Sequence, residues 1–282
     1  MWIADKWGDY HVLDASEGEK LEKWNEYILI RPDPQVIWAT PKSDARWKNP
    51  TALYKRSSSG GGTWQINRLP ASFRIQYRDL SFYIKPMNFK HTGLFPEQAV
   101  NWDFADKMIR SRDTVKVLNL FAYTGGASIA CAKAGAEVCH VDASKGMVAW
   151  AKENAALNGI HNIRFIVDDC IKFVQREIRR GKKYDAIIMD PPSYGRGPGG
   201  EVWKLERELY SLLESCEQLL SDNPLFFLLN SYTTGLSAGC IRYMLGCTMK
   251  HGGITDASEI GLPVASSGLV LPCGATARWF CK

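Results

Sequence analysis

Residues 117–128 read Val-Leu-Asn-Leu-Phe-Ala-Tyr-Thr-Gly-Gly-Ala-Ser. An apolar run enters the corner Thr124-Gly125-Gly126, and the small residues after it open a helix. A strand ending this way brings main-chain N–H groups and an uncapped helix start toward one point, which makes a binding place for a nucleotide-like ligand. The glycines permit a close approach, because a Cβ at Gly125 or Gly126 would occupy the ligand's space. Glycine corners also serve ordinary strand-to-helix turns, so the neighbouring strands must decide.

The next buried strand, A-E-V-C-H-V-D, ends in Asp142, 17 positions beyond Gly125. That is close to the ~20-residue spacing at which a carboxylate takes the ribose hydroxyls of a bound nucleoside. Asp142 could equally cap the helix expected from Ser144, and both roles can hold together. The following strand ends F-I-V-D-D-C, with Asp168 and Asp169 before Cys170. Ligands of open α/β sheets lie outside the carboxyl ends of the strands, so Gly-Gly, Asp and Asp at three successive ends describe one pocket.

Nicotinamide dinucleotides need G-x-G-x-x-G to seat a pyrophosphate, and G-G-A-S lacks the third glycine. S-adenosylmethionine carries no phosphate and needs a glycine corner, an acid for ribose and a polar group for adenine, which fits better. A fourth strand, Y-D-A-I-I-M-D-P-P-S-Y, ends in Asp190-Pro191-Pro192-Ser193-Tyr194. The two prolines hold the backbone extended and rigid, so Asp190 is aimed at whatever lies beside it, an amino group or a nucleobase edge. A rigid turn without chemistry is the alternative.

These strands belong to a pattern. From about Pro96, helical segments alternate with buried strands, as in a parallel sheet with crossover helices. A helix is expected over 97–111 and strands at 116–121, 137–142, 163–167, 184–189, 225–230, 253–260 and 275–281. Helices are expected near 127–135, 144–157, 170–181, 201–220 and 236–249. Only residues 261–274 separate the last two strands, which predicts an antiparallel hairpin at the sheet edge. Before residue 96 the chain is rich in Trp, Tyr and Pro, with short alternating segments such as Tyr27-Ile28-Leu29-Ile30, Trp64-Gln65-Ile66 and Phe73 to Tyr77. A β-rich domain over 1–95 and a cofactor-binding domain over 96–282 are expected, with a flexible Ser57 to Gly62 run inside the first.

A chain of 282 residues with 45% apolar content can bury such a core. No stretch approaches the roughly 18 apolar residues of a membrane span, and the first ten residues lack signal-peptide order, so a cytoplasmic protein is expected. The eight cysteines are scattered without a C-x-x-C pair, a pattern of buried hydrophobes in a reducing compartment rather than of a metal site. The net charge of +5 permits an anionic partner such as RNA without requiring one.

Taken together, V-L-N-L-F-A-Y-T-G-G-A-S, V-D-A-S-K, the helix W-A-K-E-N-A-A-L-N-G, D-D-C and D-P-P-S-Y resemble class I S-adenosylmethionine-dependent methyltransferases. Within them the chain resembles the bacterial group that includes the large-subunit ribosomal RNA cytosine-C5 enzymes. The resemblance covers residues 88–230 with its motifs in order. It implies an α/β fold, a Rossmann-like seven-stranded sheet with the last strand antiparallel, beside the smaller β-rich domain. It assigns Asn119, Phe121, Tyr123, Thr124, Gly125 and Gly126 to the methionine part of the cofactor. Asp142, with Ala143 and Ser144, falls to the ribose; Asp169, with Asp168 and Cys170, falls to adenine. Asp190, Pro191, Pro192, Ser193 and Tyr194 face the methyl acceptor. The segment F-K-H-T-G-L-F-P-E-Q resembles a loop closing over the cofactor, with Thr92, Phe95 and Gln98 as its candidates.

Two departures bear on the substrate. Methylation at pyrimidine carbon 5 requires a cysteine thiolate that adds to carbon 6. The stretch where the family places it, Asn230 to Gly235, reads N-S-Y-T-T-G without cysteine, and Cys240 lies inside an expected helix. An acceptor that is already nucleophilic, such as an exocyclic amine, needs only positioning and proton removal. The family also usually carries a separate N-terminal RNA-binding domain, for which the β-rich part leaves no room ahead of it. RNA contact is then expected from Arg46-Trp47-Lys48, Tyr54-Lys55-Arg56 and Arg74 to Arg78. The run Arg176, Arg179, Arg180, Lys182 and Lys183 ends a helix and reads as structural. A small-molecule methyltransferase with a β-rich lid, and an RNA-binding protein that keeps the pocket without turnover, are the rival readings.

Overall fold

The computed structural model describes residues 1–57, 61–87, 91–197 and 199–281. The centre of the expected flexible run, Ser58 to Gly60, and Phe89-Lys90 of the expected closing loop lie outside the described residues. The chain forms two compact units, one of Trp2–Ala99 with Ile260–Cys273, the other of Met1, Val100–Glu259 and the residues from Gly274 onward.

The first unit contains β1 (Trp2–Ile3), β2 (Tyr10–Ser16), β3 (Glu19–Trp24), β4 (Tyr27–Pro32), β5 (Ala52–Arg56), β6 (Gly62–Asn67), β7 (Phe73–Tyr77) and β8 (Leu80–Ile84). Strands β2 to β6 form one sheet in sequence order, and β7 pairs with β8. Beneath that sheet lies a buried charge cluster. Glu22 accepts from Tyr10 Oη at 2.7 Å and from Arg31 Nε and Nη2 at 2.6 and 2.8 Å, with Lys20 Nζ at 3.5 Å. Burial pushes the Glu22 carboxyl up, but Arg31 and Lys20 outweigh it and hold the group down at about 2. A depressed carboxylate stabilises the fold above its ordinary titration range, and that contribution is lost as pH falls toward 2. Glu22→Gln leaves a buried guanidinium without its counter-charge, and we expect a loss of roughly 3 kcal/mol in denaturant unfolding.

Most of the aromatic and cationic residues expected to grip RNA are engaged within this unit. Arg46 pairs with Asp44, Lys55 with Glu19, and the Trp47 indole donates to Asp14, while Tyr54 and Tyr77 are buried. Arg74 and Arg78 lie over the rings of Tyr83 and Tyr77.

The second unit runs through α1 (Ala99–Ile109), β9 (Lys116–Leu120), α2 (Gly126–Lys133), β10 (Glu137–Asp142), α3 (Lys145–Leu157), β11 (Ile163–Val167), α4 (Cys170–Arg179) and β12 (Ala186–Met189). It continues through β13 (Tyr194–Arg196), β14 (Val202–Lys204), α5 (Leu205–Glu217), β15 (Phe226–Ser231), α6 (Ala238–Thr248), β16 (Ile254–Pro263) and β17 (Val270–Phe280), of which Ile260–Cys273 belongs to the first unit. The sheet order is β1-β16-β17-β15-β12-β9-β10-β11, with the two-residue β1 parallel to β16. Strands β11, β10, β9, β12 and β15 are parallel, and β17 is antiparallel to β15. The large, mostly parallel sheet with a reversed last strand is therefore present, with β1 as an eighth strand beyond the expected seven. Its last two strands are neighbours toward one edge, as the hairpin reading expects, with β17 the inner of the two. It inserts between β15 and β16, because Phe226 to Ser231 find their partners in Ala275 to Phe280.

A correction concerns the expected helix over 201–220. Residues 202–204 instead form β14, which pairs with β13, and the helix starts only at Leu205. Trp203 drives this, since its ring is buried against Phe121 with 5.0 Å between centroids and its indole donates to the Pro192 carbonyl.

The inner parallel strands are buried on both faces, as strands covered twice must be. Leu118, Leu120, Ile187, Met189, Phe227 and Leu229 pack against Phe173, Val174, Leu209, Leu213, Ile241 and Leu245 of α4, α5 and α6. Each such side chain contributes about 1.5–3 kcal/mol on burial. On the other face the alternate positions Asn119, His140, Asn230 and Thr276 are buried and polar.

Candidate active site

Chain order alternates across β9: β10 and β11 lie on one side of it, β12 and β15 on the other. The point between β9 and β12 is thus a topological switch point, where ligands of open sheets bind. The register brings Asn230, Asp190, Phe121, Asp142 and Asp168 to the carboxyl ends of β15, β12, β9, β10 and β11 in that spatial order. Three inter-strand steps, ~14 Å, separate the β11 end from the β12 end.

The corner after β9 is tighter than its glycines indicate. Phe121 and Tyr123 hold φ of 53° and 52°, and Gly125 holds 89°. Left-handed backbone at two bulky residues costs of order 1 kcal/mol each and persists only where surrounding contacts fix it. Those contacts are present. The Phe121 N–H donates to Cys170 Sγ, Ala122 N–H to the Val141 carbonyl and Tyr123 N–H to Asp142 Oδ2 at 2.8 Å. From α3, Asn154 donates to the Thr124 carbonyl at 3.0 Å, which explains the asparagine in W-A-K-E-N-A-A-L-N-G.

Gly125 ends the corner as the residue preceding α2, with no side-chain cap. A Cβ here would meet the Ala151 Cβ of α3 at 3.1 Å. The glycine therefore serves the packing of α2 on α3 and a left-handed turn. Asn119 is buried, and its amide donates to Ser128 Oγ at 2.9 Å, which in turn lies 3.0 Å from His140 Nδ1. Burial drives the His140 imidazole down to about 3, so it stays neutral beneath the corner.

Asp142 joins two elements. Its Oδ2 takes the Tyr123 N–H and its Oδ1 takes the Ser144 N–H, both at 2.8 Å. Ser144 itself caps α3 through Met147 N–H, with Ala143 between the two. Burial pushes the Asp142 carboxyl up, opposed by the two backbone donors. Each oxygen keeps a second lone-pair direction, so the carboxylate can accept two further hydroxyls. Asp168 pairs with Arg176, and its N–H donates to the Asp142 carbonyl. Asp169 caps α4, with Oδ1 accepting from Lys172 N–H. Cys170 is buried under the corner, where burial pushes its thiol well up.

At the β12 end, Asp190 Oδ1 accepts from Asn230 Nδ2 at 2.9 Å. Pro191 is buried, the Pro192 carbonyl holds the Trp203 indole, and Ser193 Oγ lies 2.7 Å from Thr233 Oγ1. Tyr194 is 52% exposed, a ring open to stacking. Ser231 is buried, and its hydroxyl closes a local turn through Thr233 N–H. Cys240 is exposed in the first turn of α6, and no cysteine occupies 230–235.

Thr92, Phe95 and Gln98 belong to the other unit. There Thr92 is buried with its Oγ1 3.5 Å from Arg31 Nη1, and Phe95 precedes the 3-10 turn Pro96–Gln98. An open cavity of about 820 Å³ lies at the opposite, amino ends of β9 to β11, bounded by Lys116, Glu137, Ile163 and Arg164. His161, Glu177 and Lys182 also line it, and none of the strand-end groups described above does. Among the described residues no cluster of three or more His, Cys, Asp or Glu could hold a metal ion, and no helix is long and apolar enough to cross a membrane.

Residues 44–227 match the sequence model of the S-adenosylmethionine-dependent methyltransferase family. The chain belongs to that family. A solved S-adenosylmethionine-dependent methyltransferase from Agrobacterium tumefaciens is 37% identical, with a TM-score of 0.94 over 100% of this chain and 93% of that one. The curated protein "Ribosomal RNA large subunit methyltransferase K/L" of Shewanella frigidimarina is 34% identical over 76% of this chain, and its Shewanella baltica counterpart is 28% identical over 78%. The chain spans about a third of the length of these curated relatives. A structure holding S-adenosylhomocysteine, SMU.776, shares the fold at 19% identity and a TM-score of 0.75.

The protein is thus an S-adenosylmethionine-dependent methyltransferase of α/β fold with a β-rich N-terminal part. The carboxyl-end groups fit that cofactor. The corner from Asn119 to Ser128 contains no Lys or Arg for a phosphate, and the Asp142 carboxylate suits a diol. Sequence reading missed Asn154, His140 and the partners of Asn230, since a buried Asn or His carries no motif of its own.

Proposed function

We propose that this methyltransferase acts on RNA, at an acceptor atom that is already nucleophilic, and that the strand ends described above are its active site. In this reading Phe121 to Gly126 shape the seat for the methionine part, Asp142 takes the ribose hydroxyls, and Asp168 to Cys170 flank the adenine. Bound there, S-adenosylmethionine supplies a methyl group activated on a sulfonium.

The rest is done by the chain. The observation that carries the reading is Asp190, fixed one strand step from the corner by Asn230 on one side and two prolines on the other. A carboxylate so held accepts a hydrogen from an exocyclic amine, orienting the nitrogen lone pair toward the methyl and taking up the released proton. Tyr194 offers its ring to the base. The absence of cysteine from 230–235 and the burial of Cys170 speak for an amine rather than pyrimidine carbon 5. The names of the curated relatives support ribosomal RNA as the substrate class.

The test is transfer of tritium from labelled S-adenosylmethionine to RNA from a strain lacking this gene, with a small-molecule extract in parallel. Label in RNA that digests to an N-methylated nucleoside, with no release of tritium from RNA labelled at cytosine carbon 5, is the expected result. Label only in the extract would make the protein a small-molecule enzyme, and no label despite cofactor binding would make it an RNA-binding protein without turnover.

A further inference from the structure

A line of buried hydrogen bonds runs from Arg278 on β17 to Asp190. Arg278 Nη2 donates to Asn101 Oδ1 at 2.8 Å, and Asn101 Nδ2 donates to Thr276 Oγ1 at 3.1 Å. Thr276 Oγ1 donates to Asn230 Oδ1 at 2.6 Å, and Asn230 Nδ2 donates to Asp190 Oδ1 at 2.9 Å. The residues come from α1, β15, β17 and the β12 end, and lie within the second unit. Asn101, Asn230 and Thr276 are at most 3% exposed.

The direction of the line is fixed by chemistry at both ends. A guanidinium can only donate, so Asn101 must present its oxygen to Arg278 and its NH₂ to Thr276. The threonine hydroxyl, having accepted, gives its proton to Asn230 Oδ1, which turns the second amide with its NH₂ toward Asp190. Every donor points the same way, from cation to carboxylate, and bonds aligned like this polarise one another in a low-dielectric interior. Arg278 is anchored by the Val100 carbonyl at 3.0 Å and lies 4.5 Å from the Phe104 ring centroid. The register explains how the line forms: Asn230 faces Thr276 across the β15–β17 pair, and Arg278 is two residues farther along on the same face. Inserting β17 between β15 and β16 is what brings Thr276 there.

We propose that Asn230, Thr276, Asn101 and Arg278 are positioning residues that hold the Asp190 carboxylate in a fixed orientation, as a hydrogen acceptor facing the methyl acceptor. This rests on the reading of Asp190 given above. An apolar core would serve stability as well as this line does, because buried polar groups seldom add net stability over hydrophobic packing of the same volume. What the line adds is a single orientation for one carboxylate.

Thr276→Val keeps the volume and removes the hydroxyl through which the line passes, whereas Thr276→Ser keeps the hydroxyl. Thr276→Val is expected to lower kcat for RNA methylation roughly 30-fold, with KM for RNA and Kd for S-adenosylmethionine within about twofold of wild type. Thr276→Ser should recover most of the rate, and Asn101→Ala, one link farther out, should cost less than Thr276→Val. As a readout independent of turnover, the side-chain ¹⁵N–¹H signals of Asn230 should exchange slowly with solvent in the wild type and rapidly in Thr276→Val. An unchanged kcat in Thr276→Val, a loss that Ser does not restore, or an equal loss of cofactor affinity would overturn the proposal. If the wild type methylates no RNA while the Asn230 signals behave as expected, the RNA reading falls and the orienting line stands. Unprotected Asn230 signals in an active wild type would remove the line alone.

Discussion

Asp190→Ala is expected to leave S-adenosylmethionine affinity within about twofold of wild type and to lower the rate of methyl transfer by roughly 10³-fold or more. The asymmetry follows from position. Asp190 stands at the end of β12, one strand step from the corner on the side away from Asp142, and its Oδ1 is held by Asn230. Removing it leaves the groups around the ribose and adenine ends intact. It removes the acceptor that turns the amine toward the methyl and takes its proton, so alignment and proton removal fail together. Single-turnover transfer, read beside calorimetric binding, separates the two effects. Asp190→Asn sharpens the result, since the amide keeps the volume and loses the carboxylate.

The second large effect is on binding. Asp142→Ala is expected to weaken S-adenosylmethionine affinity by about 10² to 10³-fold, because hydrogen bonds to a charged acceptor are worth about 1.5–3 kcal/mol and two hydroxyls lose theirs. Part of the loss arises in the free protein. The same carboxylate holds the Tyr123 and Ser144 N–H groups, and Tyr123 sits at φ 52°, so the substitution also releases the strained corner. Affinity should fall on acidification as well. Burial raises the Asp142 titration, and once protonated the carboxyl can no longer accept from two hydroxyls and two backbone donors. Calorimetry across pH, with wild type and Asp142→Ala side by side, should show that slope in the wild type and not in the variant.

How far the sequence reveals this site depends on the range of each interaction. Strands ending in Asp142, Asp168 and Asp190 are legible because buried parallel strands write continuous apolar runs, and the acid that follows each run stands out. The corner is legible as a place but not as a shape. Phe121 and Tyr123 carry no sign that they turn left-handed, since that conformation is imposed by Cys170, Val141 and Asp142 from other elements. The packing of Gly125 against Ala151 is not legible, because it exists only once α3 is laid beside α2. The strand β14 was hidden inside an apparent helix until Trp203 found Phe121 and the Pro192 carbonyl. The polar line to Asp190 joins residues 46 and 175 positions apart, and no local pattern foretells it.

The basic residues show a different limit of composition. Interleaved cations and aromatics in the first unit read as an RNA grip, yet Arg46 and Lys55 are bound to acids and Tyr54 and Tyr77 are buried. Composition shows that such groups are present, and only packing shows which are committed. Arg176, read as structural, is indeed paired, with Asp168.

A crystal structure of the protein with S-adenosylhomocysteine tests the central claim most directly. The account predicts ribose hydroxyls within hydrogen-bond reach of the Asp142 carboxylate, adenine beside Asp168 to Cys170, and the sulfur turned toward Asp190. A ligand bound at the amino ends of the strands, or one whose ribose makes no contact with Asp142, would contradict it.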